Sequence, residues 1–178
     1  MRKYFYILIT LLAVLSIGFV GCKNKPTAVA DFIDEPEAPT GSKTPKPDNT
    51  LLSSFKIFDK HMSQFEGKYF KSKTYKSDDG GEFNYEINIF NDTANSIRAT
   101  ALELKGKKKD GSTLDIKFHA PGHLDKDTEL EKISYKLLVV SGGTFSTPII
   151  TFYKTGYANL SGVFDNTIEF SLQNKTTK

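Results

Sequence analysis

From Lys68 onward the chain alternates apolar and polar residues with a period of two, and turn residues break the alternation at short intervals. No other feature restricts the fold as much. A period of two places alternate side chains on opposite faces of a strand, so the apolar set needs cover and the polar set can stay in water. Glu82–Phe90 shows this most clearly, with Phe83, Tyr85, Ile87 and Ile89 set against Asn84, Glu86 and Asn88. The same reading predicts strands at Lys68–Tyr75, Ser96–Lys107, Thr113–Ala120, Glu131–Val140, Thr147–Lys154, Tyr157–Phe164 and Thr167–Asn174. Between them lie Ser77-Asp78-Asp79-Gly80-Gly81, Asn91-Asp92, Lys109-Asp110-Gly111-Ser112 and Gly142-Gly143, which supply turn chemistry. Pro121-Gly122 is expected to open a longer polar loop reaching to about Glu129.

About eight short strands in roughly 110 residues, joined by local turns, call for an all-β antiparallel meander. Open edges are a liability, so such a sheet curls shut or splits into two layers. The expected fold is therefore a small barrel or a barrel-like sandwich, with the barrel preferred. If its interior is hollow, Phe83, Tyr85, Ile87, Leu137, Phe152 and Phe170 are the candidates to line it and bind a small apolar ligand.

Before the strands, Leu51 to Glu66 carries Leu51, Leu52, Phe55, Phe58, Met62 and Phe65 at spacings of three and four. That spacing predicts a short helix capped by Asn49 or Thr50 and stopped at Gly67. Its apolar stripe needs a partner, either the outer surface of the β domain or the mouth of a barrel. Residues 22–50 form a different block, holding five of the seven prolines among charged and small polar residues. A segment of this composition buries too little apolar surface to offset its chain entropy, so it reads as a flexible, extended tether. Asp31-Phe32-Ile33-Asp34 is the one stretch in it with the look of a docking motif.

The chain opens with Arg2 and Lys3, then 17 mostly apolar residues from Tyr4 to Val20, then Gly21 and the single cysteine, Cys22. The length lies near the lower limit for a spanning helix, so a permanent anchor is one reading. The small Gly21 before Cys22 favours the other, an export signal over residues 1–21. Phe19-Val20-Gly21-Cys22 resembles the lipobox of bacterial lipoproteins. That resemblance implies cleavage before Cys22, a diacylated lipid on its thiol and an acyl chain on its amino group, with chains of the palmitate type. It also implies a cell-envelope location, in the outer membrane where the cell has one, because Lys23 is not the usual inner-membrane retention residue. Several acyl chains suffice for stable anchoring. The membrane is thus the first expected partner.

The helix leading into Phe65-Glu66-Gly67-Lys68-Tyr69 is similar to the opening of the calycin barrels, the lipocalins and fatty-acid-binding proteins. The stretch Gly162-Val163-Phe164-Asp165-Asn166-Thr167-Ile168-Glu169-Phe170 resembles their closing hairpin. What this resemblance implies is a barrel that carries an apolar ligand.

Charge narrows the classes of partner. Removing residues 1–21 takes away two basic residues and no acid, leaving 22 basic against 21 acidic. A near-neutral surface gives no electrostatic footprint for nucleic acid. With Cys22 acylated no thiol remains for a disulfide, a metal or a nucleophile. His119 and His123 flank a Pro-Gly pair and His61 stands apart, so all three read as surface residues with no metal site. Asp78-Asp79 and the cluster Lys105, Lys107, Lys108 and Lys109 read as solvated turns. No nucleophile elbow or phosphate loop occurs, and no cofactor is expected. The expected class is a non-catalytic, lipid-anchored binding domain for another macromolecule, with an apolar-ligand carrier as the alternative.

Overall fold

The computed structural model describes residues 31–57, 61–93, 99–127 and 131–175, with the backbone alone for 122–127. Residues 1–21 and Cys22 lie outside the described residues. Eight strands follow one another around a closed barrel: β1 Tyr69–Lys76, β2 Glu82–Asp92, β3 Ala99–Lys107, β4 Thr113–Asp127, β5 Lys132–Ser141, β6 Ile149–Tyr153, β7 Tyr157–Ser161 and β8 Ile168–Gln173. Every pair is antiparallel, and β8 closes on β1 from Tyr69↔Gln173 to Ser72↔Phe170. This is the expected all-β meander in its closed form, which leaves no free sheet edge around most of the ring.

The barrel has two unlike ends. The turns at 77–81, 108–112, 142–148 and 162–167 form one rim. At the other end the chain enters β1, and a plug covers the opening. The expected helix over Leu51–Glu66 is replaced there by α1, Asn49–Leu52, and a single 3₁₀ turn, Met62–Phe65. Asp48 caps α1 through Thr50 N at 2.8 Å. The Ser53 and Ser54 hydroxyls then donate back to the carbonyls of Thr50 and Leu51, which competes with continued helix. So short a helix has little stability of its own, and burial of individual side chains decides the path. Phe55, Ile57, Met62 and Phe65 are all buried. Both expected destinations of the stripe are thus partly met: the segment packs on the domain by covering a mouth.

The second difference lies in the tether. Residues 31–48 form a strap laid along the barrel wall from the rim to the plug. Ile33 N donates to Val163 O at 3.0 Å, and Ile33 makes a parallel bridge with Phe164. Pro36 is buried. Lys76 N donates to Glu37 O at 3.0 Å. The Ser42 hydroxyl both accepts from Thr74 N and donates to Thr74 O, each at 3.1 Å. Gln173 Nε2 donates to Lys46 O at 2.7 Å. Asp48 N donates to Leu172 O at 2.8 Å. The physical reason is visible in the register. Pairing of β1 with β8 runs only to Ser72, so Thr74 to Lys76 present an open edge that the strap satisfies. Residues 22–30 lie outside the described residues.

The third difference is β4, which runs through Pro121 and Gly122 to Asp127 where a loop was expected. The ladder accommodates Pro121 at a bulge. Ala120 and Pro121 fall between the pairs His119↔Leu138 and Gly122↔Lys136, so the missing N–H of proline costs no ladder bond. A bulge in β1 has the opposite use. Ser72 and Lys73 oppose Tyr85, the Ser72 hydroxyl accepts from Tyr85 N at 2.9 Å, and the inward set changes from Phe70 and Ser72 to Tyr75.

Candidate functional site

The inward side chains form two aromatic clusters, one above the other. Near the plug, Phe65 rises into the barrel and stacks on Phe152, with centroids 4.1 Å apart and planes 20° apart. Phe55 and Tyr135 lie 5.5 and 6.2 Å from the same ring. Phe70 completes the group, 5.4 Å from Phe152. Near the rim, Tyr85 is surrounded by Phe164 at 4.6 Å, Tyr75 at 4.9 Å and Phe83 at 5.2 Å. Gly106 on β3 makes room for Tyr85. A Cβ there would sit 2.4 Å from the ring. Phe65, Tyr75, Tyr85, Phe152 and Phe164 are all within 1% of full burial.

The six residues expected to line the interior all lie on the inward face. Tyr85, Ile87, Leu137, Phe152 and Phe170 are buried, and Phe83 is half-buried at the rim. The structure brings Phe83 and Tyr85 together and seats Phe152 in the other cluster. Among the described residues, grooves of about 420–490 Å³ lie on the rim and the outer wall, and these are lined by none of the six residues.

The strap sends one carboxylate toward the upper cluster. The Tyr75 hydroxyl hydrogen-bonds Glu35. Burial holds the Tyr75 hydroxyl well above the usual tyrosine range, and the Glu35 charge adds to this. Tyr85 is raised for the same two reasons, in the same order. Tyr85 Oη and Glu35 Oε2 are buried without a hydrogen-bond partner among the described residues.

On the outer wall Asp92, nearly buried, reaches across the small Ala101 of β3. Its Oδ2 lies 2.5 Å from Lys117 Nζ and 3.1 Å from His119 Nε2. Lys117 Nζ also sits 5.4 Å from the centroid of Phe90. His119 therefore has a partner that its sequence neighbourhood does not suggest. His123 lies within β4, its backbone opposite Tyr135, and not in a turn. His61 is exposed. Among the described residues no group of three or more potential ligands is placed to hold a metal ion. Asp79 and Asp110 belong to turns as expected. Hydrogen bonds from Ser77 and Ser112 hold both carboxyls below the usual range.

Phe65, Phe164, Tyr75 and Glu35 were not among the expected interior residues. The spacing of Phe65 places it in the predicted helix, and the composition around Glu35 places it in the predicted flexible tether. The signal that could have found Glu35 is its neighbourhood, since Ile33 and Pro36 are apolar residues at strap spacing beside it. The fold and interior define the class: a small closed antiparallel β-barrel with one mouth plugged by the segment before β1 and a strap of residues 31–48 along its wall. No protein-family model, curated protein or solved structure matches the chain.

Proposed function

We propose that this chain is a lipid-anchored cell-envelope protein whose barrel is a non-catalytic binding domain for another macromolecule. The signal-like segment ending in Cys22 supports the anchor. Phe65 carries the choice of binding domain over carrier. It fills the space between Phe55, Tyr135 and Phe152, where a carried ligand would sit. Leu138, on the outer face of β5 and 51% exposed, leaves apolar surface open to a partner.

The test is native mass spectrometry of residues 31–178, which retain the strap, before and after organic extraction. The expected result is one apo mass with full β-type circular dichroism and unchanged stability after extraction. A bound mass that leaves on extraction would replace this reading with the apolar-ligand carrier.

A further inference from the structure

We propose that the rim of the barrel at which the strap begins rests on a zwitterionic phospholipid surface, with Phe32 at the headgroup level. This rests on the lipid anchor proposed at Cys22. Three observations carry it. The first is reach. Asp31 follows Cys22 by nine residues, which span at most about 30 Å when fully extended. The eleven residues of β2, tilted as barrel strands are, rise by about 28 Å along the axis. Turning the plug toward the bilayer would therefore consume nearly the whole tether alongside the wall.

The second observation is that the entry point is fixed. Ile33 pairs with the 162–167 turn and Glu37 with the end of β1, so the chain enters at the rim for as long as these bonds hold. The third is the surface offered there. Phe32, 47% exposed, immediately precedes Ile33, and Val140, 48% exposed, lies at the rim end of β5. Phe32 also edges a groove of about 440 Å³ that carries Asp31, Asp34, Asp78 and Asp110 against Lys108 and Lys109. That excess of carboxylates rejects an anionic bilayer, so the fitting surface is a zwitterionic one. One half-exposed aromatic ring binds a membrane weakly by itself. A short tether raises its effective concentration to the millimolar range and makes the contact persistent.

The chain has no tryptophan and one cysteine, which makes the test direct. The protein from Cys22 to Lys178 is coupled through Cys22 to a maleimide-headgroup lipid in phosphatidylcholine vesicles. Single tryptophans are placed at Phe32→Trp on the rim and at Thr155→Trp, an exposed turn at the plug end. With brominated phosphatidylcholine, Phe32→Trp should lose emission and shift to the blue, and Thr155→Trp should do neither. Equal quenching at both sites, or more at Thr155→Trp, overturns the orientation. Quenching of Phe32→Trp that requires phosphatidylglycerol overturns the choice of surface. Incorporation of labelled palmitate into Cys22 of the full chain in bacterial cells tests the anchor by itself. Its absence overturns the anchored reading, and with it the contact in the cell, whatever the chemically tethered protein does.

Discussion

If Phe65 fills the barrel as its ring contacts indicate, shortening it should cost more than any other single change in the plug. The ring is fully buried and touches three other aromatic rings. Returning a phenylalanine side chain to water costs about 1.5–3 kcal/mol. Loss of the stacked pair with Phe152 adds about 0.5–1.5 kcal/mol, and the cavity left behind adds more. Phe65→Ala should therefore lose about 3–5 kcal/mol, a large part of the roughly 5–15 kcal/mol that a domain of this size has. Urea unfolding followed by circular dichroism measures it, with an unchanged m-value as the check that the two end states are the same. The melting temperature should fall by on the order of 10–15 °C. Phe65→Leu, which keeps most of the volume, should lose less than about 1.5 kcal/mol. A dry apolar cavity of this kind takes up benzene, so benzene should restabilise Phe65→Ala and leave the unaltered protein unchanged. A loss below about 1 kcal/mol for Phe65→Ala would refute the packing argument, because no well-packed buried ring is removed so cheaply. Equal stabilisation of both proteins by benzene would refute it too, since the interior would then already hold room for a ligand.

Three further outcomes follow from other contacts. Gly106→Ala places a Cβ 2.4 Å from Cδ1 of Tyr85, whose ring is held by Tyr75, Phe83 and Phe164. It should cost about 1–3 kcal/mol by urea unfolding and alter the near-ultraviolet tyrosine spectrum, although alanine is the better residue by backbone entropy alone. Ser42→Ala removes both strap bonds to Thr74, at about 0.5–1.5 kcal/mol each. Amide exchange should then speed up at Thr74 more than at Leu102 in the middle of the barrel. The Tyr75 and Tyr85 hydroxyls are raised above their ordinary value of 10.0, so both stay neutral in the fold while the unfolded chain ionises. Their contribution is whole below pH 10 and is lost as pH rises beyond it. Tyrosinate absorbance of these two should appear together with the loss of β-type dichroism, and a smooth titration near pH 10 in the folded protein would contradict their burial.

The strands were legible because a period of two is a local property. Glu82 begins β2 where expected, and Tyr157, Thr113 and Lys107 stand at observed strand ends as read. Closure into a barrel followed from edge energetics, and the observed pairing of β1 with β8 agrees. The errors lie where one local pattern supports two structures. Apolar residues three and four apart describe a helix, but Phe55, Met62 and Phe65 of that pattern also suit an irregular segment that buries them at a mouth together with Ile57, which lies outside the pattern. Pro121-Gly122 is turn chemistry in isolation. A bulge absorbs it only because β5 continues opposite, which no residue near Pro121 reveals.

The strap is the most instructive case, because its composition was read correctly and its position was not. Prolines and polar residues give it no core of its own, so its composition does not predict order, and Ile33 and Pro36 are the few apolar residues in it that hint at any. Its order comes from elsewhere, from the edge that β1 exposes beyond Ser72 when β8 diverges. The Ser72-Lys73 bulge against β2 falls where the pairing of β1 with β8 ends, and beyond it Tyr75 turns inward with its hydroxyl in hydrogen-bond reach of Glu35. A single extra residue in β1 thus stands at the start of the open edge and aims the tyrosine that meets the carboxylate. The bonds of Ile33 to the 162–167 turn and of Glu37 to Lys76 set where the chain from Cys22 reaches the barrel, and so which end of the barrel an anchor would pull toward the membrane.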